Sequence, residues 1–353
     1  MRKALKTIGI VLLAVVILAG GLIGYLTITE FRPASVQDAA QTAGQTSATL
    51  RAGESIRVLT FNTGYAGLDK SQDFFMDGGS GVSPTGGRAK VEENLAGILA
   101  AIQEANAQIV LLQEVDQSSA RTNRIDETAY YQQNTGLNAA YAVNYQCGFV
   151  PFPLPPIGAV KSGVLTLSAY QPAQAQRQSL PVPFKWPIRV ANLKRCLMPV
   201  YIDLEGTDAQ LVLVNLHLEA YDDGEGKAAQ TAALKSFLEQ EYAKGNYVIA
   251  GGDFNQTFPG GLDKYPIKND DLWTPGTLDD SMLPDGWRFA YDTSAPTCRL
   301  NNQPYDAESD ATQHYVIDGF ILSPNVELTG VQTQDDGFRF SDHNPVLLNI
   351  RLK

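Results

Sequence analysis

The chain has 353 residues, 44% of them hydrophobic and 18% charged, a balance that suits a globular protein with a large core. Its 38 acidic residues against 27 basic ones give a net charge of -11, so long-range attraction to a polyanion is not built into the whole molecule. Three scattered cysteines, Cys147, Cys196 and Cys298, are too few for a disulfide framework or a zinc site. One disulfide or three buried thiols both remain open.

The first element is apolar. No charge occurs from Thr7 until Glu30, and residues 8–28 are predominantly hydrophobic. At a helical rise of about 1.5 Å such a stretch spans roughly 31 Å, the thickness of a bilayer's hydrocarbon core. Arg2, Lys3 and Lys6 precede it, which by the positive-inside rule puts the N-terminus in the cytoplasm and the remainder outside. The stretch exceeds a signal-peptide core, and no clear small-x-small cleavage site follows it closely. Residues 1–29 are therefore read as a cytoplasmic stub and an uncleaved transmembrane signal anchor, making a single-pass protein of the cell membrane.

Residues 30–54, rich in Ala, Gln, Thr and Ser, show no apolar periodicity and read as a flexible linker. Residues 55–353 form the expected catalytic domain. Within it the spacing of Val91, Leu95, Ile98, Leu99 and Ile102 predicts a helix over 88–107. Leu234, Phe237, Leu238 and Tyr242 predict another over 226–244, with Gly245 as its stop. Strands are expected at 56–61, 109–115, 163–168, 199–204, 211–218, 247–253, 315–322 and 346–352. Several are near-continuous apolar runs, the pattern of strands buried between layers. The simplest architecture is α/β: two packed sheets with helices outside.

Several of these strands end in polar tips. Asn62 follows 56–61, Glu114 closes 109–113, His217 closes 211–216, Asp253 and Asn255 close 247–252, and Ser341-Asp342-His343-Asn344 precedes 346–350. Carboxylates, amides and imidazoles at the ends of buried strands are the arrangement of a metal-assisted hydrolytic site on a rigid scaffold.

Taken in order, Leu59-Thr60-Phe61-Asn62, Leu112-Gln113-Glu114-Val115, Asn215-Leu216-His217-Leu218, Gly251-Gly252-Asp253-Phe254-Asn255, Ile317-Asp318-Gly319-Phe320 and Ser341-Asp342-His343-Asn344-Pro345 resemble the endonuclease/exonuclease/phosphatase superfamily. That superfamily includes pancreatic-type deoxyribonucleases, apurinic endonucleases and neutral sphingomyelinases. The resemblance runs from Ile56 to the C-terminus. It implies a four-layer α/β sandwich of two mixed sheets flanked by helices, and Mg2+-dependent attack of water on a phosphate ester, with Mn2+ or Ca2+ as possible substitutes.

By the same resemblance Glu114 and Asp342 are metal contacts and Asn62 touches metal or phosphate. Asp253 orients or deprotonates water, Asn255 contacts phosphate, and His217 donates to phosphate or leaving group. His343 is base or transition-state contact, with Asp318 as its orienting partner. Residue chemistry agrees: Mg2+ prefers a few carboxylates plus water and substrate oxygens, and a carboxylate on one imidazole nitrogen fixes the tautomer. Asp253 and Asn255, two apart, point to one side of an extended segment.

Two insertions bear on substrate choice. Residues 63–87 are glycine-rich, and 149–157 (Phe-Val-Pro-Phe-Pro-Leu-Pro-Pro-Ile) form a proline-pinned apolar loop that cannot be helix. That loop either meets a lipid or packs on the domain itself. Arg121, Arg124, Lys161, Lys194 and Arg195 are candidate cations facing phosphate. The expected partner is a phosphate-ester substrate, whether lipid headgroup, nucleic acid or small phosphorylated compound, with no protein partner inferable. A sphingomyelinase-like phospholipase and a nuclease compete within the family. A catalytically inactive binding module is the alternative of a different class, and eight correctly typed polar positions argue against it.

Overall fold

The structure, a computed structural model, describes residues 2–222 and 224–353. Two seven-stranded mixed sheets form its centre. One runs β1 (Val36–Asp38), β7 (Gln174–Ser179), β8 (Cys196–Asp203), β9 (Gln210–His217), β10 (Tyr247–Asp253), β16 (Asp318–Leu322), β13 (Arg288–Ala290). The other runs β17 (Val326–Thr333), β18 (Val346–Leu352), β3 (Ser55–Asn62), β4 (Ile109–Asp116), β6 (Gly158–Ser168), β5 (Asn138–Val150), β2 (Ala40–Thr42). Four short strands, β11 (Gln256–Thr257), β12 (Gly276–Thr277), β14 (Cys298–Arg299) and β15 (His314–Tyr315), pair as two small ladders.

The period-2 alternation of strands builds the layers. In β3, Ile56 and Val58 enter the core between the sheets, whereas Leu59 and Phe61 face outward. Ile109 and Leu111 of β4 do the former, Val110 and Leu112 the latter. On the facing sheet Leu211, Leu213 and Ile249 point inward, and Val212, Val214 and Val248 outward. Helix α2 (Gly87–Ala105) lays Val91, Leu95, Ile98 and Ile102 on the outer face of the β3–β4 sheet. With α3 (Glu127–Thr135) between them in the chain, α4 (Glu225–Ala243) does the same with Leu234, Phe237 and Leu238 on the other sheet. The result is the four-layer sandwich, helix–sheet–sheet–helix. Asn106, at φ 46, stops α2 two residues after Glu104, and Gly245, at φ 89, follows the end of α4.

The apolar helix α1 (Arg2–Ile28) is long and apolar enough over Lys3–Ile28 to cross a membrane. Its hydrophobic side chains from Leu5 to Leu18 are exposed, but Leu26 is buried against Cys147, Val150, Ile157 and Val190 of the domain.

Residues 30–54 correct the linker expectation. β1 pairs with β7 and β2 with β5, so this segment supplies an edge strand to each sheet. Ala39 between them and Leu50 beyond are buried in the inter-sheet core. The strands were invisible in the sequence because all six of their side chains are exposed; they are held through main-chain bonds, which leave no apolar period. Other boundaries also shift. β6 begins at Gly158 and β8 at Cys196, and the strand expected over 315–322 is β16 alone, with Tyr315 in a separate ladder. Helix α3 and strands β5, β7, β13 and β17 carry no strong periodicity and were not anticipated. All three cysteines are buried free thiols.

Candidate active site

Strand register places the polar tips. β9 and β10 pair in parallel and β10 and β16 antiparallel, so His217, Asp253 and Asp318 lie directly opposite one another across three strands. Cross-strand partners share a face. On the other sheet Asn62 pairs with Gln113. Strict alternation would then send Glu114 outward with the helix-facing residues. Instead the β4–β6 register shifts between Leu112 and Val115, and Glu114 adopts φ 57. The irregularity keeps Leu112 and Val115 on the outer face and turns Glu114 into the cleft, a common use of a bulge beside a site. Asn255, at φ 50, is the second site residue in this region, which costs a non-glycine residue on the order of 1–3 kcal/mol.

The structure brings all eight anticipated residues to one end of the two sheets. Asn62 is their hub: its Nδ2 donates to Glu114 Oε1 at 3.1 Å and to Asp253 Oδ2 at 3.0 Å, and lies 3.4 Å from His343 Nε2. His343 Nδ1 is 2.8 Å from Asp318 Oδ2. Asp253 Oδ2 is 3.4 Å from His217 Nε2 and 3.8 Å from His343 Nε2, while its Oδ1 accepts the Asn255 N–H at 2.8 Å. The Asn255 amide is turned by a 2.8 Å bond from Nδ2 to the Leu218 carbonyl. Asp342 accepts from Asn301 Nδ2 at 3.3 Å. Gly64 must lack a side chain here, because a Cβ would sit 2.9 Å from Asp342 Oδ1 on a backbone at φ 51.

Burial sets the protonation pattern. It works against charge on His343, but the Asp318 carboxylate outweighs it and holds the imidazole well above its usual range. His217 is driven well below that range by burial, with Arg195 and His343 adding, so it is neutral. Its Nδ1 is buried without a hydrogen-bond partner. Burial raises Asp253 to about 6, and Asp318's charge adds to the effect. Burial raises Asp342 to about 7, and Glu114's charge adds there.

Two arrangements bear on a metal ion. Asp253, Asp318 and His343 each offer a ligand atom within 4.8 Å of the other two and could hold one, at the expense of the Asp318–His343 hydrogen bond. Glu114 and Asp342 need no such sacrifice. Among the described residues neither forms a salt bridge; Glu114 takes an amide of Asn62, and Asp342 takes Asn301 and the Ser341 hydroxyl. Glu114's charge adds to the burial that holds Asp342 up, and a hard divalent cation beside the two carboxylates would relieve that repulsion.

Of the five candidate cations, Arg121 and Arg195 line the cleft, but both are held. Arg121 makes a two-pronged pair with Asp116 at 3.0 and 2.9 Å and lies over the Tyr65 ring. Arg195 bonds Glu219 and the His217 carbonyl. Lys194 pairs with Glu30 at 3.4 Å, and Arg124 is exposed and reaches the Ser118 carbonyl. Sequence reasoning missed Asn301 and Tyr221, which line or brace the cleft from loops, and Arg299 of the two-residue strand β14, too short to show a pattern; Asp77 belongs to the 63–87 insertion expected to bear on substrate choice. Arg299 is buried and donates to the Asp69 and Gln72 carbonyls, and Tyr221 donates to Asp77 at 3.0 Å. His314, read as structural, stacks on Phe338 away from this cluster.

The cleft has a volume of about 710 Å3, in the range of small-molecule sites. Glu114, His217, Asp253, Asn255, Asp342 and His343 line one end; Asn62 and Asp318 stand behind them. Phe152, Ile157, Ile188 and two side chains of α1, Ile23 and Leu26, line the other.

The sequence profile of the Endonuclease/Exonuclease/phosphatase family matches residues 59–343. No curated protein sequence matches the chain. Among solved structures it is similar to an endonuclease/exonuclease/phosphatase from Beutenbergia cavernae DSM 12333, with TM-score 0.59 at 18% identity over 84% of this chain and 72% of that one. A family protein from Leptotrichia buccalis C-1013-b gives 0.52 at 14% identity over 84% of this chain and all of that one (100%). ANGEL2, a 2',3'-cyclic phosphatase in complex with adenosine-2',3'-vanadate, gives 0.52 at 14% identity over 90% and 99%. At such identities the likeness is one of fold.

Proposed function

The chain belongs to the endonuclease/exonuclease/phosphatase family and is a hydrolase of phosphate ester bonds, and from that premise we propose a membrane-anchored, extracytoplasmic, Mg2+-dependent phosphodiesterase. The observation that carries this reading is the convergence of eight polar side chains at one end of the two sheets, with Glu114, His217, Asn255 and His343 gathered around Asn62 and Asp253.

In this reading Glu114 and Asp342, with Asn62 beside them, hold the Mg2+, which when bound neutralises charge on the phosphoryl oxygens. Asp253 faces the attacking water: its two oxygens are fixed by Asn62 and the Asn255 main chain, so it accepts a proton without reorganising. His343, oriented through Nδ1 by Asp318, presents Nε2 to the phosphoryl group or the water. His217 Nδ1 is the unpaired buried polar atom that a phosphate or leaving oxygen would satisfy. Asn255 positions the phosphate.

Placement outside the cell is read from Lys3 and Lys6, which stand at the start of α1 ahead of its uncharged stretch from Thr7. The net charge of -11 and the engagement of Arg121, Lys194 and Arg195 with Asp116, Glu30 and Glu219 leave little for a nucleic-acid backbone to bind.

The test is an assay of the purified full chain, with Mg2+ and with EDTA, against bis-p-nitrophenyl phosphate, p-nitrophenyl phosphate and DNA. Diester hydrolysis faster than monoester hydrolysis, abolished by EDTA, is expected. Metal-independent hydrolysis, or none, would contradict the proposal.

A further inference from the structure

The anchor helix does more than trail from the domain. Ile23 and Leu26 of α1 line the same cleft as His217, Asp253 and His343. The end of the helix is fastened there. The Glu30 carboxylate, almost fully buried, takes Arg189 Nε at 2.9 Å, Arg32 Nε at 3.0 Å and Lys194 Nζ at 3.4 Å. Tyr25 packs against Gly148, where an added Cβ would meet its hydroxyl at 2.5 Å. The cleft therefore keeps a fixed position relative to the helix.

That position can be placed against a bilayer. Counting from Thr7, just after Lys6, a hydrocarbon core of about 30 Å is filled by about twenty helical residues and ends near Leu26. Trp186 Nε1 donates to Thr27 Oγ1 at 3.1 Å, which puts an indole at the interface level that tryptophan favours. Around the same helix end, large apolar side chains on two loops stand in the open: Phe152 is 63% exposed, Leu154 87%, Trp186 59% and Ile188 66%. A soluble domain rarely displays such a cluster beside its active site without a use for it. Phe152 and Ile188 also line the cleft, so the apolar rim and the polar cluster share one cavity.

We propose that α1 is a wall of the substrate site, and that the substrate is an amphipathic phosphoester lipid taken from the leaflet beside it. Its hydrocarbon chains run along Ile23, Leu26, Phe152 and Ile188, and its phosphate reaches His217, Asp253 and His343. A small soluble phosphodiester fills only the polar end and gains nothing from the apolar wall. The inference rests on the phosphodiesterase reading and adds the substrate class to it.

The test uses the full chain reconstituted in phosphatidylcholine vesicles and compares two chromogenic diesters with the same leaving group. One is the p-nitrophenyl ester of a diacylglycerol phosphate in the vesicle; the other is water-soluble methyl p-nitrophenyl phosphate. The lipid diester should have a kcat/KM at least ~10-fold higher, and shortening its acyl chains to four carbons should erase most of that preference, because remote apolar contacts contribute to transition-state binding. The Phe152→Ser/Ile188→Ser pair, both exposed positions that need not disturb the core, should lower the lipid-to-soluble ratio by roughly 10-fold. Hydrolysis of the soluble diester with no lipid preference, no chain-length dependence or an unchanged ratio in the double variant would overturn the proposal while leaving the phosphodiesterase intact. Hydrolysis of neither diester would overturn both readings.

Discussion

The polar floor of the cleft and its apolar wall are built by different parts of the fold. The floor comes from strand ends: His217, Asp253 and Asp318 stand in one cross-strand row, and Asn62 bonds Glu114 within its own sheet and Asp253 across to the other. Every one of these groups is at least partly buried and fixed by a partner. The wall comes from the 149–157 loop, the turn at Ile188 and the end of α1, with Phe152 and Ile188 largely exposed. Chemistry that needs sub-ångström placement sits on rigid elements; apolar recognition, which tolerates movement, sits on loops. The two walls should then fail in different ways when altered.

The largest effect should come from the floor. His343→Ala should lower kcat by about 10²–10⁴-fold toward every hydrolysed ester, and added Mg2+ should not restore it, since the lost function is proton transfer or transition-state contact. A variant whose loss were confined to lipid esters would blur the division between floor and wall.

Removing the N-terminal segment should separate anchor from fold. A chain beginning at residue 30 loses the contact of Leu26 with Val150 and Ile157 and should be modestly less stable than the full chain, but it keeps β1, β2, Ala39 and Leu50. One beginning at residue 53 loses them, and burial of Leu50 alone is worth roughly 1.5–3 kcal/mol. Equal urea midpoints for the two truncations would mean that the edge strands contribute nothing.

Glu114→Gln should act on metal occupancy. The Mg2+ concentration for half-maximal rate should rise by about 10–100-fold, the scale on which metal sites respond to lost support, with kcat largely regained at saturation. No shift in that concentration would move the metal away from Glu114.

Smallest in energy is the brace beneath the floor. Gln113 Nε2 donates to Asn215 Oδ1 at 2.8 Å, and Asn215 Nδ2 donates to the Leu112 and Leu165 carbonyls at 3.1 and 3.0 Å, tying the two sheets together. Asn215→Leu leaves those groups unpaired and should cost about 1–3 kcal/mol in denaturant unfolding, with a reduced kcat because the two halves of the floor are held by this tie.

Much of the floor was legible in the sequence, and most of the wall was not. Apolar runs ending in Asn62, Glu114, His217 and Asp253 announce buried strands with functional tips, and registers such as His217–Asp253–Asp318 follow once those strands pair. The bulge that aims Glu114 is a tertiary choice with no local signal. Edge strands β1 and β2 expose all their side chains, so the segment read as a flexible linker had no pattern to betray it. Arg299 and Asp77 reach the cleft from a two-residue strand and a single helical turn, and Asn301 braces Asp342 from a loop, all too short to carry a period. Arg121 and Lys194 looked available for phosphate until Asp116 and Glu30 emerged as their partners. The apolar 149–157 loop was visible, but its fate was mixed: Val150 and Ile157 pack with Leu26, whereas Phe152 and Leu154 stay exposed.

The central claim, that one cluster at the strand ends holds both metal and phosphate, is tested most directly by a crystal structure of the full chain soaked with Mn2+ and orthovanadate. The account predicts an anomalous manganese peak bound by Glu114 and Asp342 beside Asn62, and vanadate within hydrogen-bond distance of His217, Asn255 and His343. Manganese held instead by Asp253, Asp318 and His343, with vanadate elsewhere, would contradict it.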